Sequence, residues 1–134
     1  MDSSTIDLPG SEVESVEYEN GTLTISFSRT IIIKTMSGSS ERTRWWQAGS
    51  LVFEGAELET ALPDCPCICE GGDVGENVYT YRDMIPLPLD SHGRARCDLK
   101  FQDREPLQAW AEGVKLVMAD RPRYIEHLRA VDQK

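Results

Sequence analysis

Two stretches of this chain alternate strictly between apolar and polar residues. In TLTISFS, Leu23, Ile25 and Phe27 fall on one side and Thr22, Thr24, Ser26 and Ser28 on the other. In RARCDLKF, Ala95, Cys97, Leu99 and Phe101 oppose Arg94, Arg96, Asp98 and Lys100. A period of two is what a strand with one buried face requires. Asn20-Gly21, just ahead of the first stretch, supplies residues that tolerate positive φ in a tight turn, so VESVEY and TLTISFS are expected to pair as a hairpin. Ile31, Ile32 and Ile33 then form a β-branched run without a polar side, the pattern of a strand covered on both faces.

The remaining segments read with less periodicity. Ser37 to Arg44 is Ser/Gly-rich and charged, which predicts an exposed loop. SLVFEGAELE, from Ser50, resumes strand character, with Gly55 placed for a bulge or a close backbone approach. Gly71-Gly72 predicts a turn, and a further strand is expected to begin near Asn77. Pro86 and Pro88 confine IPLPLD to an edge, because proline has no N–H for an inner ladder. Residues 106–119 fit a helical stripe through Leu107, Trp110, Ala111, Val114 and Met118. They also fit two alternating strand segments that change phase at Gly113, and the interior glycine favours the strand. Asp120 and Pro122 suggest the start of a short C-terminal helix bearing Tyr124, Leu128 and Val131 on one stripe.

Strands without intervening helices point to a mainly β protein: a single-domain antiparallel β-sandwich or barrel-like meander of roughly seven or eight strands with a short C-terminal helix. The polar residues 1–11, ending in Pro9-Gly10, are expected to be a loose, flexible arm preceding a single β-rich domain over 12–134. At 134 residues, one domain with its own core is the expected organisation.

Composition changes the picture mainly through charge. Asp and Glu number 23 against 14 Lys and Arg, a formal net charge of −9. That balance argues against nucleic acid and against anionic lipid surfaces, both of which recruit clustered cations. A protein partner, basic in character, fits the field better, and a homo-oligomer is compatible with it. The amino terminus shows no signal-peptide pattern and no apolar run reaches bilayer length, so a cytoplasmic location is expected.

Four cysteines carry the most conspicuous chemistry, three of them in CPCIC. In a reducing compartment they are read first as small apolar core residues. Cys65, Cys67, Cys69 and Cys97, with His92, are also weak candidates for a metal site. Cys-x-Cys spacing spreads sulfurs along a strand face at about 6.5–7 Å intervals, unlike the closer turns of structural zinc sites. A reactive thiol or disulfide is the third reading. The outcome turns on whether Pro66 breaks the strand.

RTRWWQ offers a different kind of chemistry. Trp45 and Trp46 would point to opposite faces of an extended segment, and an exposed tryptophan beside Arg42 and Arg44 has the composition of a binding hot spot. The competing reading has one indole in the core and the other covering a loop. Glu12, Glu14, Glu17 and Glu19 read as a solvated strand edge. Asp90, Ser91 and His92 are adjacent, which fits a polar turn better than a catalytic triad assembled from distant positions. No phosphate loop, dinucleotide-binding glycine pattern or nucleophile elbow is present, so no cofactor and no catalytic residue are assigned. The expectation is a small acidic interaction protein, more non-enzyme than enzyme, that uses a sheet face or the Arg42, Arg44, Trp45 and Trp46 segment. The alternatives are a ligand-binding barrel or small enzyme with an internal pocket, drawing on Cys97, Tyr79, Tyr81 or Asp83, and a metal-binding protein.

Overall fold

A computed structural model describes residues 3–36, 38 and 41–128. Its ten strands are β1 (Ser3–Glu19), β2 (Thr22–Thr35), β3 (Arg42–Glu54), β4 (Glu57–Leu58), β5 (Cys67–Glu76), β6 (Tyr79–Arg82), β7 (Met84–Leu87), β8 (Asp90–Phe101), β9 (Leu107–Met118) and β10 (Arg123–Leu128). Every pairing between them is antiparallel.

Six strands close into a barrel in the order β1–β2–β3–β9–β8–β5. The hairpin expected at Asn20-Gly21 forms, with φ of 51° and 78° at the two turn residues and Glu19 opposite Thr22. Closure depends on two non-local ladders. β3 pairs with β9 from Gly49↔Met118 to Glu54↔Gly113, and β1 meets β5 only at Glu12↔Ile68 and Val13↔Cys67. The other four strands add at edges: β4 on β9, β6 on β5, β7 on β1 and β10 on β3.

β1, β2 and β3 are 17, 14 and 13 residues long, longer than the barrel requires. They leave it at irregularities. β1 slips register between Asp7 and Glu12, where Gly10 takes φ of 88°, and β2 slips between Phe27 and Thr30. Extra residues at such bulges bend a strand and re-aim its faces. Buried Ser11 fills the gap: its hydroxyl donates to the Asp7 carbonyl at 3.0 Å and accepts the Ile31 N–H at 3.2 Å. Beyond the bend, the ends of these strands continue as a second sheet, β10–β3–β2–β1–β7.

The barrel interior is packed. Leu23, Ile25, Leu51, Phe53, Val74, Cys97, Leu99, Leu107 and Ala109 are all fully buried. Ile6, Ile32 and Ile85, from the inner face of the sheet extension, belong to the same continuous core. Strand alternation explains most of this: Leu23, Ile25 and Phe27 point inward, as do Ala95, Cys97, Leu99 and Phe101. β9 is a strand and changes phase where expected, with Leu107, Ala109 and Ala111 buried before Gly113 and Val114 after it. The bulge itself lies on the neighbouring strand, between His92 and Ala95 of β8, and Gly113 accepts the close approach of the Ser91 carbonyl, 3.0 Å from where a Cβ would stand.

Several expectations are corrected. The mainly β single domain is present, but it is a barrel with ten strands rather than seven or eight, and no helix occurs among the described residues. The expected loose arm over 1–11 is a paired strand from Ser3, because Ile6 and Leu8 are fully buried and anchor it against β2 and β7. The segment expected as a terminal helix is strand β10. Asp120 takes φ of 61°, incompatible with the extended backbone of a helix N-cap, and the chain finds an open edge on β3. Val131 lies outside the described residues. The loop expected over Ser37–Arg44 ends early, since Arg42 already pairs with Thr35 and Leu128; Ser37, Ser39 and Ser40 lie outside the described residues. Gly71 and Gly72 lie inside β5, not in a turn, at φ of 123° and 133°. A side chain at Gly72 would strike the Asp98 carbonyl.

Candidate functional site

The second sheet has two unlike faces. In β2 and β3 the alternation sends Ile32, Trp45 and Gln47 inward and Ile31, Ile33, Arg44 and Trp46 outward. Cross-strand register then places Arg123 of β10 beside Trp46 and Glu126 beside Arg44. Arg29, within the β2 bulge, reaches the same outer face, its guanidinium over Trp46.

Trp46 lies at the centre of this outer face. The Arg29 guanidinium sits 4.4 Å from its ring centroid and the Arg123 guanidinium 5.2 Å, so the indole carries two cations. Such contacts contribute about 0.5–1 kcal/mol each at exposed sites. Arg44 donates through Nη1 to Glu126 at 2.8 Å, while its Nε is shielded from solvent and has no acceptor among the described residues. Arg42 occupies the next outward position of β3. On the β1 side, half-buried Asp7 has a carboxyl pushed above its usual range by burial. Arg44 opposes that shift, Asp83 adds to it and Arg42 opposes it. Arg29 also lies 3.8 Å from Glu12. Arg29 and Arg123 thus lie over the Trp46 indole, while Arg42 and Arg44 share the region with Asp7, Glu12 and Glu126, and Asp83 acts on Asp7 from nearby.

Trp45 has the other role. It packs against the core from the inner face, donates its indole N–H to Thr43 Oγ1 at 2.8 Å, and meets Tyr124 edge-on at 5.4 Å. Lys34 lies over the ring at 4.3 Å. The structure therefore brings Arg42, Arg44 and Trp46 together on one surface and sends Trp45 to the opposite one. Arg29 and Arg123 were missed in the sequence because they sit 17 residues before and 77 after Trp46, with only strand register joining them.

The cysteines do not form a metal centre. Among the described residues no group of three or more His, Cys, Asp or Glu side chains is placed to hold an ion, which overturns the metal reading for Cys65, Cys67, Cys69, Cys97 and His92. The reason is geometric. Cys69 and Cys97 are fully buried, with their thiols directed at the Gly71 and Leu107 carbonyls. His92 is out on the surface, its side chain 85% exposed and 3.6 Å from Asp90. Burial pushes the thiols of Cys67 and Cys69 up to about 11, so they stay protonated at neutral pH. Only Cys65 and Cys67 bring their sulfurs together, at 4.0 Å.

A second surface feature lies on β9, the barrel strand that pairs with β3. Trp110 of β9, 39% exposed, has the guanidinium groups of Arg94 and Arg96 at 4.4 and 4.7 Å, and Arg96 is ion-paired with Glu59. An open groove of about 570 Å³ runs beside it, bordered by Gly55, Glu57, Gly93 and Glu112. The residues expected to furnish an internal pocket do not converge. Cys97 is sealed in the core, Tyr79 and Tyr81 stack on the edge strand β6, and Asp83 caps the Gly72 N–H at 2.9 Å.

The fold and surface define a single-domain closed β-barrel carrying a sheet extension with an Arg/Trp outer face. No known family model, curated protein or solved structure matches this chain.

Proposed function

We propose that this chain is a non-catalytic interaction protein of the cytoplasm that binds an acidic segment of a protein partner on the outer face of its sheet extension. One observation carries the reading: Trp46 held between Arg29 and Arg123, with Arg42 and Arg44 on the same face. Trp and Arg are the residue types that dominate binding hot spots. Net charge suggested a basic partner, but recognition depends on the local field, and the two guanidinium groups over Trp46 suit an acidic segment.

The test compares captured proteins for wild type, Trp46→Ala, Arg123→Ala and, as a control outside this face, Trp110→Ala. The reading expects a discrete acidic partner retained by wild type and Trp110→Ala, lost with the other two, and weakened by added salt. Equal capture by all four proteins overturns it.

A second reading, a ligand-binding barrel, draws support from the closed barrel and the open groove beside Trp110. With the interior filled by side chains, a small ligand would occupy that groove. The indole N–H resonances of Trp46 and Trp110 distinguish the two readings. A small-molecule screen that moves only the Trp110 signal supports the groove; one that moves neither removes its support.

A further inference from the structure

We propose that Cys65 and Cys67 are an oxidisable dithiol, which a hydroperoxide converts to a disulfide at the seam of the barrel. β5 begins at Cys67, so Pro66 and Cys65 stand outside the strand. Within a strand, residues two apart would hold their Cα atoms about 6.5–7 Å apart with parallel side chains. Here the bend before β5 brings the two sulfurs to 4.0 Å, in contact. A disulfide requires the two sulfurs to close from 4.0 Å to about 2.05 Å.

The surroundings separate this pair from the other thiols. Cys65 is half-exposed, whereas Cys69 and Cys97 are sealed in the core. Arg104 is tied to the same turn, its Nε donating to the Asp64 carbonyl at 3.0 Å, which sets a cation beside the dithiol. An open groove of about 440 Å³ between residues 61–64 and 103–105 ends at Asp64, the residue before Cys65. Cys67 is the partner that waits, kept protonated first by burial and then by the charge of Cys65.

The chemistry balances in two steps. The Cys65 thiolate attacks one peroxide oxygen, the O–O bond breaks, and the alcohol or water leaves with a proton, giving a sulfenic acid. The Cys67 sulfur then attacks the Cys65 sulfur; the S–S bond forms, the S–O bond breaks, and the hydroxyl departs as water with the Cys67 proton. Two thiols and one hydroperoxide yield one disulfide, one alcohol (water from hydrogen peroxide) and one water. Cys67 also pairs with Val13 in the two-position ladder that joins β1 to β5, so the new bond would lie on the shortest seam of the barrel.

The test treats the reduced full-length chain with one equivalent of hydrogen peroxide. The expected product has lost two hydrogen masses, keeps two of its four thiols when denatured, carries a Cys65–Cys67 link in one peptide, and returns to four thiols with a dithiol reductant. Cys67→Ser should leave Cys65 as a sulfenic acid trapped by dimedone, and Cys65→Ser should leave Cys67 reduced. Retention of all four thiols, oxidation at Cys69 or Cys97, or a disulfide between two chains would each overturn the proposal.

Discussion

The barrel and the sheet that extends from it are built from the same three long strands, yet they use their side chains differently. In the barrel, the inward residues of β2, β3, β8 and β9 fill the interior, and the outward ones are mostly polar. In the extension, the inner face adds Ile6, Ile32 and Ile85 to the core, while the outer face gathers arginines around Trp46. The packed interior is therefore concentrated in the first region and the proposed recognition surface in the second. The bulges that bend β1 and β2 divide the two.

That division can be broken most directly by comparing one aromatic from each region. Phe53→Ala, in the barrel core, should cost about 3–5 kcal/mol by urea unfolding, the range for deleting a large aromatic from a packed interior. Trp46→Ala removes two cation–π contacts of about 0.5–1 kcal/mol each and leaves no closed cavity. Equal losses would show that the extension is as structural as the barrel.

The hinge between the regions comes next. Ser11→Ala deletes the hydroxyl that serves both Asp7 and Ile31, leaving a backbone N–H without its partner. A loss of about 1–3 kcal/mol is expected, with faster amide exchange at Ile31 than at Ile25. Unchanged exchange at Ile31 would show that the bend holds without Ser11.

A smaller effect should come from the outer face and depend on pH. The folded-state pKa of Asp7 is raised above 3.8, first by burial, so the native protein binds this proton more tightly than the unfolded chain does. Its favourable contribution is complete below the unfolded value and is lost as pH rises through the folded one. Asp7→Asn should therefore raise the melting temperature at pH 7, and the gain should shrink as the solution is acidified through the carboxylate range. A gain that grows on acidification would contradict the burial assigned to Asp7.

The smallest change belongs on the barrel exterior. Glu54 and Lys115 pair across β3 and β9 at 2.9 Å, with the Glu54 carboxyl lowered first by its hydrogen bond to Lys115. Such exposed pairs contribute little, so Lys115→Ala should move the melting temperature only slightly, and less still in high salt. A large shift would mean that this ladder, which closes the barrel, depends on its surface charges.

The sequence made the two regions legible to different degrees. The hairpin at Asn20-Gly21, the inward sets of β2 and β8, the edge placement of Pro86 and the phase change at Gly113 were all readable, since each is a local property of turn chemistry or period-two patterning. The candidate surface was readable only in part. Arg42, Arg44, Trp45 and Trp46 were singled out together by composition and adjacency; the strand then places Arg42, Arg44 and Trp46 on one face. Trp45 was grouped with them by adjacency, though the pleat sends it to the core side.

What the sequence determined by itself was which residues face inward along each strand, because burial of one face imposes a period of two. It did not encode which strand lies alongside. Closure of the barrel through β3–β9 and β1–β5, the conversion of residues 3–8 and 123–128 into strands, and the meeting of Arg29 with Arg123 over Trp46 all depend on pairing between distant segments. A backbone edge offers the same N–H and C=O groups to any neighbour, so partner and register follow from packing of the whole core. The bend before Cys67 follows the same rule: where β5 begins depends on its place in the barrel, and that start brings Cys65 and Cys67 into contact.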